Sequence, residues 1–158
     1  MKNNFNAKVK MLIESICLER FLYDNERVRN DYEFEQILDF IDDIPKKDRY
    51  YLAIDYKYDN FKNENFTMIK YEGNIIGFLY KDKKLVDMLY IDPKYRNKGI
   101  GTDVIKNLTK PGSIAKTKVD NKIMAKILKK NNWEITDKNS ETITWKNKGW
   151  LYEFYRIY

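Results

Sequence analysis

From residue 85 to residue 108 the chain reads LVDMLYIDPKYRNKGIGTDVIKNL, and this stretch gathers the residue types that could act together chemically. Arg96 and Lys98 bring two cationic side chains, and Gly99 and Gly101 bring two open backbone positions, all at the start of a helical pattern. The first N–H groups of a helix have no intrahelical acceptor and point at whatever lies before them. Glycines there let an anion approach the main chain closely, so the expected chemistry is recognition of a phosphate or pyrophosphate. Just upstream, Asp87 offers a carboxylate placed to act as a general base.

The elements that must position these residues are legible around them. Apolar side chains at both parities from Leu85 to Ile91 predict a central strand covered on both faces. Asp92-Pro93 stops it, because proline cannot donate to a ladder and biases the preceding residue toward extended backbone. Val104, Ile105 and Leu108 fall on one helical face, with Asp103 early and Lys106 and Lys110 late, as the macrodipole favours. Pro111-Gly112 ends that helix. The turn is not a Walker A loop, which would end Gly-Lys-Ser/Thr. Nor is it a dinucleotide fingerprint, since Val104 stands where a third glycine is needed.

Arg96-Asn97-Lys98-Gly99-Ile100-Gly101, set behind Leu89-Tyr90-Ile91-Asp92-Pro93 and ahead of an amphipathic helix, resembles a known pattern. It is the acetyl-CoA signature Arg/Gln-x-x-Gly-x-Gly/Ala of the GCN5-related N-acetyltransferase (GNAT) superfamily. The resemblance implies an α/β (α+β) single-domain fold over residues 1–158, with a mixed, mostly antiparallel central sheet of about six to seven strands flanked by about four helices. It implies acetyl-CoA as co-substrate and no metal. It also implies coenzyme contacts from Leu89, Tyr90, Ile91, Arg96, Asn97, Lys98, Gly99, Ile100, Gly101 and Thr102, with strand backbone N–H groups polarising the thioester carbonyl.

Further on, Asn121, Met124, Leu128, Asn132 and Trp133 fall at the spacings of the family's second half. Asn121 matches an asparagine that commonly contacts the coenzyme, and it reads equally well as a helix-start residue beside Asp120. Leu128 does not match, because many relatives place there a tyrosine that reprotonates the leaving thiolate. Lys116 occupies a strand position where several relatives carry a glutamate base. The implied reaction is direct attack of an amine on the thioester in a ternary complex. Asp87 is the candidate base, since counting by twos puts it on the face of Leu89 and Ile91. The structural alternative is an aspartate held by a nearby lysine or by backbone donors. Tyr90, Tyr152 and Tyr155 are available as acids, and nothing in the spacing selects among them.

Composition narrows the function classes. The chain has 158 residues, 43% hydrophobic and 34% charged, which fits one globular domain with a real core. No apolar run approaches the roughly 18 residues of a spanning helix, and no signal layout opens the chain, so no membrane association and a cytoplasmic location are expected. The absence of histidine removes the commonest general base and metal ligand together. The single cysteine, Cys17, sits at helical spacing among apolar residues as a small hydrophobe.

The net charge of +6 is uneven: residues 94–130 carry 11 basic side chains against Asp103 and Asp120 alone. Coenzyme A is itself a small polyanion, and the lysines beyond Arg96 and Lys98 either serve it or form a solvated face. The expected acceptor is a small-molecule or peptide amine. A macromolecular amine (a protein lysine or N-terminus, or a charged tRNA) is the alternative within the enzyme class, and a binding module without catalysis is the alternative outside it. Nucleic acid is not the expected partner, although the basic stretch keeps it open, and a homodimer is compatible with the reading.

The remaining elements follow from periodicity. Residues 7–28 predict an amphipathic helix, with a strand at Lys8–Ile13 as the alternative. Asp31 is expected to cap a helix whose apolar face is Phe34, Ile37, Leu38 and Ile41. Tyr50–Tyr58 alternates like a strand. Phe66–Tyr71 and Ile75–Tyr80 form a meander into the signature strand. Strands are expected at Ser113–Val119, Trp133–Thr136, Glu141–Trp145 and Trp150–Ile157, with a helix over Asp120–Asn131 presenting Ile123, Ile127 and Leu128.

Overall fold

A computed structural model describes residues 23–149. The alternatives at Lys8–Ile13, the setting of Cys17 and the terminal strand Trp150–Ile157 lie outside the described residues.

Among the described residues, seven strands form one sheet in the order β1-β2-β3-β4-β5-β7-β6, where β1 is Asp24–Arg27, β2 Phe66–Tyr71, β3 Asn74–Asp82, β4 Leu85–Ile91, β5 Ile114–Lys118, β6 Trp133–Lys138 and β7 Thr142–Asn147. Every pairing is antiparallel except β4 with β5. Four helices accompany the sheet: α1 (Asp31–Asp42), α2 (Lys46–Leu52), α3 (Ile100–Leu108) and α4 (Lys122–Lys130), with one further helical turn at Ile54–Lys57. The mixed, mostly antiparallel sheet expected from the sequence is present. Among the described residues, no helix is long and apolar enough to cross a membrane.

The sheet carries a core on each face. On one, Ile37 and Ile41 of α1 and Ile54 pack with Phe66, Phe78 and Met88. On the other, Ile100, Val104 and Ile105 of α3 and Leu128 of α4 pack with Trp145. The Trp145 indole, 1% exposed, donates through Nε1 to the Thr117 hydroxyl at 2.9 Å, so the buried donor is satisfied.

Four local expectations need correction. Asp24–Arg27 is a strand inside the span expected to be helical; among the described residues it is the outermost strand and pairs only with β2, helped by Lys70 Nζ on Glu26 at 3.0 Å. Its exposed side chains leave no alternation to read. The cap of α1 is Asn30, whose side chain accepts from the Glu33 N–H at 2.9 Å, and Asp31 is the first helical residue. Tyr50–Tyr58 is not a strand: α2 ends at Leu52, Ala53 adopts a left-handed conformation (φ 52°), and a new helical turn starts at Ile54. That break resets the helical phase and puts Leu52 and Ile54 inward two residues apart, mimicking a strand's period. Ile123, expected on the apolar face of α4, is exposed.

Candidate active site

The site begins where two strands part. β4 and β5 are in register only at Leu85 with Ile114 and Val86 with Ala115. Among the described residues, β4 has no strand partner on that edge beyond Val86. The ladder to β3 jumps from Met88–Tyr80 to Val86–Lys81, so Asp87 is the extra residue of a bulge, which bends and twists its strand. A cleft of about 360 Å³ including its open mouth lies between the strands, lined by Val86–Leu89 on one lip and Ala115–Thr117 on the other. Asn121 and Met124 at the start of α4 and Tyr51 and Leu52 at the end of α2 complete the lining.

The glycine turn stands next to this cleft. Gly99 (φ 79°) is the N-cap of α3, no side chain among the described residues caps that helix, and the first helical bond runs from the Asp103 N–H to the Gly99 carbonyl at 3.0 Å. The preceding N–H groups therefore remain for an external acceptor. A Cβ at Gly99 would meet nothing within 4 Å, so its glycine answers to backbone conformation and open approach. Gly101 is different. A Cβ there would come within 3.0 Å of Ile127 Cδ1 and 3.6 Å of Leu89 Cδ2, so the missing side chain lets α3 pack on α4 and β4, while its N–H is one of those left without a helical acceptor. Ile100 is likewise buried, Asn97 turns the loop at φ 61°, Lys98 is exposed beside Gly99, and the Thr102 carbonyl accepts from the Asn131 amide at 3.1 Å.

Arg96 and Tyr90 both reach Asp48 of α2. Arg96 Nε donates to the Ile91 carbonyl at 2.7 Å, its Nη2 to Asp48 Oδ2 of α2 at 3.1 Å, and the guanidinium lies 5.3 Å from the Tyr90 ring centroid. These contacts tie the loop that carries Arg96 to α2. Tyr90 is buried on the α1 side of the sheet, and its hydroxyl donates to Asp48 at 3.4 Å. Burial first, and then the Asp48 charge, push that hydroxyl up to about 12. Tyr152 and Tyr155 lie outside the described residues.

Asp87 lines the cleft at the bulge, and its Oδ1 accepts from Lys57 Nζ at 2.7 Å. Leu89 lines it as well, while Ile91 is buried. Asn121 caps α4 by accepting from the Met124 N–H at 3.1 Å, which leaves its amide nitrogen as the group able to donate to a ligand. The two readings of Asn121 are therefore compatible. Lys116 lines the cleft from β5, and Leu128, 0% exposed, is deep in the core one turn beyond Met124.

Sequence reasoning missed α2. Asp48 anchors it to the end of β4 through Arg96, and Lys118 Nζ of β5 lies 4.3 Å from the Tyr50 ring centroid, so α2 touches both lips of the cleft. Tyr51, the residue after Tyr50, lines the cleft. The Asp120 charge, followed by partial burial, raises its hydroxyl above the ordinary 10.0. The available signal was Pro45 ahead of Lys46 with Asp48 in the first turn, a helix-start pattern that the apparent alternation of Tyr50–Tyr58 overrode. Among the described residues no group of carboxylates and cysteine could hold a metal ion.

Solved structures share this architecture. A GNAT-family acetyltransferase of Bacillus cereus superposes with a TM-score of 0.56 at 14% identity, covering 82% of this chain and 99% of its own. The apo form of YjaB from Escherichia coli gives a TM-score of 0.59 at 16% identity, over 82% and 100%. The NatC complex, solved with a Gag peptide and CoA, gives 0.50 at 16% identity, over 82% and 98%. At these identities the likeness is one of fold. No curated protein sequence matches the chain significantly. The family model described as Acetyltransferase (GNAT) family matches residues 23–135, from β1 into β6, and the chain belongs to that family.

Proposed function

We propose that this protein is an acetyl-CoA-dependent N-acetyltransferase that moves an acetyl group to a primary amine of a small molecule or peptide by direct attack in a ternary complex. The observation that carries the reading is the unpaired edge of β4 beyond Val86, lying beside the uncapped N-terminus of α3. In this reading the pyrophosphate of the coenzyme takes the free N–H groups after Gly99, and the thioester arm pairs with the open β4 edge. A main-chain N–H near the Asp87 bulge then polarises the thioester carbonyl. An amine is mostly protonated at neutral pH, so a base must relieve it of that proton. Asp87, held by Lys57 at the cleft, is the carboxylate positioned for this.

Radiolabelled acetyl-CoA, incubated with the protein and separate pools of small amines, peptides, folded proteins and RNA, tests the reading. Label in the small-amine or peptide pool is expected. Label confined to protein or RNA would point to a macromolecular acceptor. Label in none of them, from a protein whose melting temperature acetyl-CoA nevertheless raises, would make the fold a binding module.

A further inference from the structure

We propose that Tyr51 of α2 donates the proton taken up by the leaving thiolate, in place of the core leucine at position 128. This rests on the transferase reading above.

Leu128 is wholly buried and carries no proton, so α4 offers the cleft only Met124 and the capping Asn121. Among the described residues lining the cleft, the groups that hold a donatable proton at neutral pH are the Tyr51 phenol, the Thr117 hydroxyl and the Lys116 ammonium. Thr117 is buried, and the Trp145 indole that donates to it at 2.9 Å holds its hydroxyl against the core. Lys116 is exposed at the β5 lip. Tyr51 is half-buried in a helix secured at both lips of the cleft, by Asp48 on Arg96 at 3.1 Å and by the Tyr50 ring under Lys118. Asp48 and Tyr51 are three residues apart and share a helical face, so the tie that draws Asp48 onto the end of β4 also directs Tyr51 toward that strand.

The surrounding charges keep the phenol in the donating form. Asp120 from the β5–α4 turn acts most strongly, by its charge and also by accepting a hydrogen bond from the phenol, Tyr50 and Asp48 act from the same helix, and all of them disfavour the phenolate. Asp87, paired with Lys57, and Lys116 complete the charged lining. In the step itself the amine nitrogen forms its bond to the carbonyl carbon as the C–S bond breaks. The sulfur leaves with that bond's electron pair and takes the phenolic proton. The proton lost by the amine returns through solvent to the phenolate, so the sum is amide plus free thiol.

The test uses acetyl-CoA with excess n-propylamine and follows thiol release. Tyr51→Phe keeps the ring and removes the proton. It is expected to lower kcat at least tenfold, with the KM for acetyl-CoA and the acetyl-CoA-dependent rise in melting temperature unchanged, while Lys116→Met loses less. A Tyr51→Phe enzyme within twofold of wild-type kcat overturns the proposal, as does loss of the rate in Lys116→Met alone. A wild-type protein that transfers nothing overturns the transferase reading and Tyr51's role with it.

Discussion

The two sides of the cleft are held together by different forces. The side built from β4, β5, α3 and α4 offers the ligand mainly backbone: an unpaired strand edge and a helix start with no side-chain cap. Its positions are fixed by core packing, with Ile100, Val104, Ile105 and Leu128 buried beneath it. The side built from α2 and the turn after it offers side chains. Those are fixed by a few polar ties, Asp48 to Arg96 and Lys57 to Asp87 among them. Backbone recognition tolerates many side chains, whereas a site of side chains depends on each. Substitutions on the α2 side should therefore change rate or acceptor choice while leaving coenzyme binding largely intact.

The largest expected effect tests where the two sides meet. Asp87→Asn should lower kcat at least about a hundredfold, the low end of what a positioned base contributes, with acetyl-CoA affinity nearly unchanged. Steady-state kinetics beside a binding titration would read both. A rate within a few-fold of wild type would make the Asp87–Lys57 pair structural and leave proton removal to water.

Next comes the tie itself. Asp48→Ala removes the acceptor of both Arg96 Nη2 and the Tyr90 hydroxyl, leaving two part-buried donors without it. A loss of about 1–3 kcal/mol in chemical denaturation is expected, since unmade hydrogen bonds at charged groups cost that much. If the two sides are coupled as described, kcat should fall further than acetyl-CoA affinity. Equal losses would mean that Asp48 supports the coenzyme loop alone.

The smallest effect is on stability at alkaline pH. An unfolded tyrosine releases its proton near 10.0 and native Tyr90 at about 12, so the native state holds more protons in that interval. The Tyr90 contribution to stability is fully present below about pH 10 and is lost as the pH rises toward 12. Tyr23, raised to about 12 chiefly by burial, acts with the same sign. Tyr90→Phe should make the decline over this range shallower without abolishing it, as followed by melting temperature against pH.

The same contrast explains what could be read from the sequence. Backbone recognition needs glycine at Gly99, a covered strand at Leu85–Ile91 and a helix face at Val104, Ile105 and Leu108, and each requirement leaves a short-range pattern. The α2 side rests on contacts between distant residues, Asp48 with Arg96 and Lys57 with Asp87, which no local period announces. Even its secondary structure was disguised, because the left-handed Ala53 between two short helical pieces imitates the alternation of a strand. The hexapeptide was informative as a unit, but no local pattern announces the further contacts of its members: Arg96 ties to Asp48 of α2, and Gly101 makes room for Ile127. β1 shows the opposite limit, an edge strand of polar residues held by main-chain pairing with no side-chain signature.

The account stands on the helix start after Gly99 beside the open edge of β4, and one measurement addresses it directly. Acetyl-CoA binding by titration calorimetry should be compared for the wild-type protein and Gly99→Asp, with circular dichroism confirming that the variant is folded. A Cβ at position 99 would meet nothing within 4 Å, so the aspartate has room, and it presents bulk and negative charge to the ligand with some strain at a φ of 79°. The account predicts that the wild-type protein binds and that the folded variant does not bind measurably. A folded Gly99→Asp protein with wild-type affinity would contradict it.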